Sequence, residues 1–172
     1  MAHLTLILGG ARSGKSARAL ALAEDAAPPG ARRFVATAEA LDEEMADRIA
    51  RHKAERGVGW SLTEAPLALA EAVAAETGRG QVLVIDCLTL WLSNLMHYER
   101  DPAAETARLL DVIAAASGTM ICVSNEIGMG LAPMNALGRA FRDAQGRLNQ
   151  QVAAAADRVE FVAAGLPLKL KG

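Results

Sequence analysis

Residues Gly9-Gly10-Ala11-Arg12-Ser13-Gly14-Lys15-Ser16 carry the spacing G-x-x-x-x-G-K-S, and that spacing can cradle a chain of phosphates. Glycine at positions 9 and 14 lets the backbone curl with its N–H groups facing inward and no Cβ in the way. Lys15 reaches β- and γ-phosphate oxygens as a point charge, and Ser16 offers a hydroxyl to Mg²⁺. The apolar run 4–8 precedes the loop and an alanine-rich helical stretch follows it. A helix opening at Lys15 adds its unpaired N–H groups and the positive end of its dipole to the same anion. The pattern predicts a nucleoside triphosphate site.

Three further places carry groups that could do chemistry. Four apolar residues, 82–85, lead into Asp86, as in a buried parallel strand that delivers a carboxylate to the top of a sheet. Phosphate-loop proteins hold Mg²⁺ there, directly or through water; the alternative is an aspartate that caps the next helix. In segment 41–57, helical spacing of 100° per residue puts Leu41, Met45, Arg48, Ile49, His52 and Arg56 on one side. A helix that only packs on a core is not written with arginines and a histidine along its apolar stripe. With Lys53, Glu55 and Arg56 beside it, His52 reads as part of an anion-handling surface. Its imidazole, with a reference pKa of about 6.5, is largely neutral near pH 7 and could serve as base or nucleophile. The plainer alternative is a structural histidine. Finally, Asn125-Glu126-Ile127-Gly128-Met129-Gly130 leaves another apolar run. Such carboxyl ends bind ligands in open α/β sheets, although two glycines also suit a simple turn.

These groups meet only if a sheet brings them together. Short β-type runs recur at 4–8, 34–37, 82–86, 120–124 and 159–163, separated by segments with helical periodicity. That alternation predicts a parallel sheet with helices on both faces. With the phosphate loop after the first strand, the expected fold class is α/β: a P-loop NTPase (RecA-like) three-layer fold with a mostly parallel central sheet. Asp101 and Pro102 form an N-cap and N1 pair ahead of Leu109, Leu110 and Ile113. Leu137, Phe141, Ala144, Leu148, Val152 and Ala155 recur at three and four residues, so 133–156 reads as one long helix. Gly146 costs that helix roughly 1 kcal/mol relative to alanine. Arg139, Arg142, Asp143, Arg147 and Asn149 fall on its polar side and read mostly as solvated groups. The closing 165–171 reads as a short edge strand that tolerates Pro167 and whose lysines discourage further pairing.

The 172 residues fit one domain, 1–172, with no repeat, linker or low-complexity tail. A formal charge of −2 and few aromatic residues argue against the cationic tracks and stacking platforms of a nucleic-acid groove. Cys87 and Cys122 lie in or beside apolar runs and read as core thiols in a reducing cytoplasm, neither a disulfide framework nor a metal site. The chain opens directly on its first strand without a cationic leader, and no apolar run approaches the roughly 20 residues of a bilayer span. The expectation is a soluble cytoplasmic protein with no membrane span and no nucleic-acid partner.

Taken in order, these blocks make the chain resemble the bifunctional adenosylcobinamide kinase/adenosylcobinamide-phosphate guanylyltransferase family of cobalamin biosynthesis, over nearly its whole length. The resemblance is carried by 9–16, Ala36-Thr37, Asp42-Glu43-Glu44-Met45, Arg48-Ile49 and His52. It continues through Asp86-Cys87-Leu88-Thr89, Asn94-Leu95, 125–130, Phe141-Arg142-Asp143, Asn149-Gln150 and Ala156-Asp157. It implies two reactions: phosphorylation of the hydroxyl on the aminopropanol arm of adenosylcobinamide by ATP or GTP, then transfer of GMP from GTP onto adenosylcobinamide phosphate. It also implies Mg²⁺ and a homotrimer with nucleotide sites near subunit boundaries.

The family passes the guanylyl group through a histidine, and the position matching its motif is His52. Some members carry His-His where this chain has Arg51-His52, so only the second position can be the nucleophile. The resemblance places nucleotide contacts on Gly9, Gly10, Ala11, Arg12, Ser13, Gly14, Lys15 and Ser16, with Lys15 also catalytic. It adds Ala36, Thr37 and Ala38, then Lys53, Ala54, Glu55 and Arg56, and finally Glu64 and Asp86, with Ser16 and Asp86 as the metal ligands. Position 38 is commonly serine in such sequences, so a hydroxyl contact there is absent. A carboxylate such as Glu64 could read guanine through its N1–H and amino group. Two rival readings stand beside this one: a simple small-molecule kinase with His52 structural, and a nucleotide-switched regulatory protein.

Overall fold

The computed structural model describes residues 2–39 and 57–172. The helix expected over 41–57, with Arg48, His52, Lys53, Ala54, Glu55 and Arg56, falls outside the described residues apart from Gly57. Within them run β1 (His3–Gly9), α1 (Lys15–Ala26), β2 (Arg32–Ala36), β3 (Trp60–Glu64), α2 (Leu69–Glu76) and β4 (Val82–Asp86). Then come α3 (Leu88–His97), α4 (Pro102–Ala115), β5 (Thr119–Asn125), α5 (Ala136–Ala155), β6 (Arg158–Ala163) and β7 (Leu166–Lys171).

The strands form one seven-stranded sheet in the order β3-β2-β4-β5-β1-β6-β7. All neighbours pair in parallel except β7, which returns antiparallel to β6 at the edge. Near-continuous apolar strands such as Val82–Asp86 belong in a sheet covered on both sides. On one face, Leu6, Val35, Leu83, Ile85 and Met120 pack against Leu69, Trp91, Leu95, Leu109 and Leu148 of α2 to α5. On the other, Ile7, Phe34, Val84, Ile121 and Val123 meet Ala19 and Ala23 of α1. The small alanines let α1 lie close to the strand ends, which matters because α1 begins at the phosphate loop.

Local chemistry explains most element ends. Asp101 caps α4, its Oδ1 accepting from the N–H groups of Ala103 (2.9 Å) and Ala104 (3.4 Å) ahead of Pro102 at the first turn. Pro167 sits in edge strand β7, opposite Val162, as expected.

Three expectations are corrected. The long helix starts at Ala136, not 133, because Asn135 caps it by accepting from Gly138 N–H at 2.6 Å. Its buried stripe is Gln145, Leu148, Asn149 and Val152; Leu137 is 71% exposed and Ala155 is also exposed. Asn149 is therefore no surface group: the helix turns a polar pair onto strand ends whose backbone needs partners. Strand β3 was not foreseen, since Trp-Ser-Leu-Thr-Glu alternates as a half-exposed edge rather than a buried run.

Candidate functional site

The loop Gly9 to Ser16 joins β1 to α1, and packing or backbone geometry demands two of its three glycines, Gly9 and Gly14. A Cβ at Gly9 would lie 2.4 Å from the Val162 carbonyl oxygen and 2.6 Å from Ser13 Oγ. Gly14, the N-cap of α1, has φ +100°, and a Cβ there would lie 3.1 Å from Gly165 Cα. The β6–β7 turn thus backs directly onto the loop, and Gly165 N–H donates to the Ser13 carbonyl at 2.8 Å. Lys15 is 8% exposed and its Nζ donates to the Gly10 carbonyl at 2.6 Å, which lays the ammonium across the loop. Helix α1 has no side-chain cap and no acidic residue in its first turn. Its leading N–H groups and dipole are left for an anion.

Along the same carboxyl edge, sheet register aligns the other predicted residues. Glu64 of β3 and Asp86 of β4 both pair with Ala36 of β2, so the three form one row. Thr37, fully buried, brackets the peptide after Asp86: its hydroxyl donates to the Cys87 carbonyl (2.6 Å) and accepts from Cys87 N–H (2.9 Å). The Asn94 carboxamide donates to the carbonyls of Thr37 (2.8 Å) and Pro66 (3.0 Å), tying α3 to both neighbouring chain segments. The Asp86–Cys87 peptide is cis. Cys87, not Asp86, caps α3, with Sγ accepting from Leu90 N–H at 3.5 Å, so the capping alternative for Asp86 is not realised.

Burial, and then the negative charge of Asp86, pushes the Cys87 thiol up to about 12, while Lys15 acts in the opposite sense. Cys122 is pushed up to about 12 by burial, so both cysteines are core thiols, protonated at neutral pH. Among the described residues, no three His, Cys, Asp or Glu side chains gather as a metal cage. Ser16 and Asp86 are a sparse oxygen set, which suits Mg²⁺ because that ion keeps several waters and takes its remaining ligands from substrate phosphates.

Sequence reasoning missed a buried polar cluster at the end of β5. Ser124 Oγ donates to Asn149 Oδ1 at 2.7 Å, and Gln145 Nε2 donates to both Ser124 Oγ and Asn149 Oδ1 at 2.9 Å. Thr89 Oγ1 lies 3.5 Å from Ser124 Oγ. The available signal was Gln145 and Asn149 four residues apart, one face of a helix, beside a long apolar stripe. Of the predicted residues, the loop, Ala36, Thr37, Ala38 and Asp86 gather at one end of the sheet. Glu64 is exposed two strands beyond Asp86, about 10 Å at ~4.8 Å per strand.

A phosphate loop after one strand of a parallel sheet, with a carboxylate at the end of the next strand but one, defines a P-loop NTPase fold of the RecA-like kind. Solved structures agree on the fold. The flagellar accessory protein FlaH from Methanocaldococcus jannaschii superposes with a TM-score of 0.50 at 15% identity, covering 98% of this chain and 78% of FlaH. A second solved structure, an ATPase domain, does so with 0.51 at 14% identity, covering 92% of this chain and 68% of that one.

Within that class the chain belongs to the cobinamide kinase / cobinamide phosphate guanyltransferase family, which it matches over residues 5–170. It is 46% identical to the bifunctional adenosylcobalamin biosynthesis protein CobP of Pseudomonas aeruginosa, across 97% of this chain and 96% of that one. It is 38% identical to the bifunctional adenosylcobalamin biosynthesis protein CobU of Salmonella typhimurium, across 98% and 99%. Among the described residues no helix is long and apolar enough to cross a membrane.

Proposed function

We propose that this chain phosphorylates adenosylcobinamide with ATP or GTP and then transfers GMP from GTP onto adenosylcobinamide phosphate, giving adenosylcobinamide-GDP and pyrophosphate. The observation that carries the reading is the phosphate loop after β1, with Lys15 laid across it and Asp86 ending β4 with one strand between, in a chain of this family.

In the kinase step, the loop N–H groups and the start of α1 hold the phosphates, and Lys15 neutralises the charge that spreads over the γ-phosphoryl oxygens. Mg²⁺, when bound by Ser16 and Asp86, supplies further charge neutralisation on the β- and γ-oxygens. Thr37 and Asn94 keep the Asp86 backbone in place.

In the guanylyl step, a neutral His52 nitrogen bonds to the α-phosphorus as the bond to pyrophosphate breaks. An oxygen of adenosylcobinamide phosphate then displaces the histidine from the phosphoramidate. Lys53, Ala54, Glu55 and Arg56 flank that nucleophile in sequence, and Glu64 is the carboxylate assigned to guanine. Both steps belong to one cytoplasmic domain, 1–172, assembled as a homotrimer; the support for that assembly is the family resemblance, and light scattering tests it.

The deciding experiment incubates the protein with Mg²⁺ and GTP labelled at the α- or γ-phosphorus, without corrinoid. The expected product is an acid-labile GMP adduct that carries only the α label and is absent in His52→Ala. If no adduct forms while nucleotide binding is intact, the guanylyl route through His52 fails and the chain is a kinase alone.

A further inference from the structure

Strand β5 lies between β1, which carries the phosphate loop, and β4, which carries Asp86. Asp86 is level with Val123, and Asn125 is level with Gly9, the first glycine of the loop. Asn125 thus stands one full pleat beyond the Asp86 row, between the two halves of the site. Side chains alternate along a strand. Ser124 turns toward α5, where it bonds Asn149, so Asn125 turns toward the face of Ile121 and Val123, which α1 covers and which Lys15 heads.

The main chain of Asn125 is clamped from both sides. Its N–H donates to Thr89 Oγ1 at 2.8 Å and its carbonyl accepts from Asn149 Nδ2 at 3.0 Å. The next N–H, of Glu126, donates to the Gly9 carbonyl at 3.0 Å, which fastens the same spot to the loop. Thr89 and Asn149 belong to the buried cluster with Ser124 and Gln145, whose Oε1 has no partner among the described residues. Burying polar groups is costly unless they bond, and a strand end that only needed packing would be served by apolar residues. The half-buried Asn125 carboxamide itself makes no hydrogen bond to a described residue. The cluster therefore holds one amide in place without using it.

We propose that Asn125 is a catalytic residue of the phosphoryl transfer, its Nδ2–H donating to a γ-phosphoryl oxygen of the nucleotide in the loop, and that Thr89 and Asn149 are its positioning residues. In that step the acceptor hydroxyl oxygen bonds to the γ-phosphorus and the bond to the β,γ-bridging oxygen breaks. The hydroxyl proton passes to solvent. Charge collects on the equatorial oxygens, where a fixed N–H donor acts most strongly. The inference rests on the kinase half of the proposed function.

The test compares wild type, Asn125→Ala, Asn125→Asp and Thr89→Val in two readouts. The first is affinity for Mg²⁺-bound β,γ-imido-GTP against GDP, which needs no turnover. Both Asn125 variants should weaken the triphosphate analogue about tenfold or more and GDP less than twofold, with Asp worse than Ala because its carboxylate repels the phosphate. The second is the kinase reaction: kcat should fall about 10²-fold in Asn125→Ala with the cobinamide KM nearly unchanged, and several-fold in Thr89→Val. Equal weakening of GDP and analogue, no change in their ratio, or an unchanged kcat would overturn the assignment. A wild type that discriminates triphosphate from diphosphate but does not phosphorylate cobinamide sinks the proposed function instead, and the affinity ratio still judges Asn125. Thermal unfolding of each variant within a few degrees of wild type shows that the fold is retained.

Discussion

The carboxyl edge of the sheet is built by two different means. Around β1 the proposed phosphate loop is shaped by main chain: a Cβ at Gly9 would collide with the Val162 carbonyl, Gly14 sits at φ +100°, and the β6–β7 turn donates Gly165 N–H to the loop. Around β2 and β4 the same edge is held by side chains, with Thr37 spanning the Asp86–Cys87 peptide and Asn94 spanning Thr37 and Pro66. A cradle of main chain resists change at Ala11 or Arg12 but fails when space is filled. A junction of side chains fails when one hydroxyl is lost, even where the shape is kept.

The largest effect that sets the two apart belongs to Lys15, whose ammonium is laid across the loop. Lys15→Ala should lower kinase kcat/KM by about 10³-fold, in the range of a lost oxyanion donor, with little change in unfolding temperature. An effect under tenfold would mean that the loop binds phosphate through its backbone alone. Next comes space. Gly9→Ala must displace the Val162 carbonyl or Ser13, and it should cost about 1–3 kcal/mol in denaturant unfolding along with most nucleotide affinity. Ala11→Ser, on an exposed part of the same loop, should change neither.

On the opposite side, Thr37→Val keeps the shape and removes the hydroxyl. Cys87 N–H then loses its acceptor in a buried place, and the chain just after Asp86 keeps only main-chain ties, such as Thr37 N–H to the Asp86 carbonyl at 3.3 Å. Titrating the kinase with Mg²⁺ should show about 10–100-fold weaker activation, the usual effect of losing a group that orients a ligand. Unchanged activation would show that Asp86 is held without Thr37 and would erase the contrast between the two sides.

The same contrast explains what could be read from the sequence. The phosphate loop occupies eight consecutive letters, the strands at 82–86 and 120–124 are apolar runs, and Asp101-Pro102 is a two-residue cap; each is local. The Thr37–Cys87 bracket joins residues 50 apart, and Ser124 meets Asn149 from 25 apart, so no window contains them. Asn149 was misplaced for a physical reason: hydrophobic periodicity scores a buried, fully bonded asparagine as surface. Strand β3 was missed because an edge strand with one apolar residue per turn of the pleat carries little signal.

The smallest effect tests how far α1 is itself part of the main-chain cradle. Glu160, 1% exposed on β6 and level with Ile7, accepts from Arg18 Nε (2.8 Å) and Nη2 (3.0 Å) and also bonds Arg158. The bond from Arg18 is the main reason its carboxyl is held below the usual range, with Arg158 adding to it against the cost of burial. A carboxylate whose folded pKa is depressed adds stability that is fully present above the unfolded value, about 4.3, and that is lost as pH falls toward the folded value. Glu160→Gln should therefore lower unfolding stability by about 2 kcal/mol at pH 7. The gap from wild type should narrow as pH drops below about 4.3. Because Arg18 lies in α1 one turn after the loop, nucleotide affinity should fall slightly with it. A gap that stays constant down to pH 3 would mean that the pair contributes shape rather than charge, leaving α1 to be held by apolar contacts such as those of Ala19, Leu20 and Ala23.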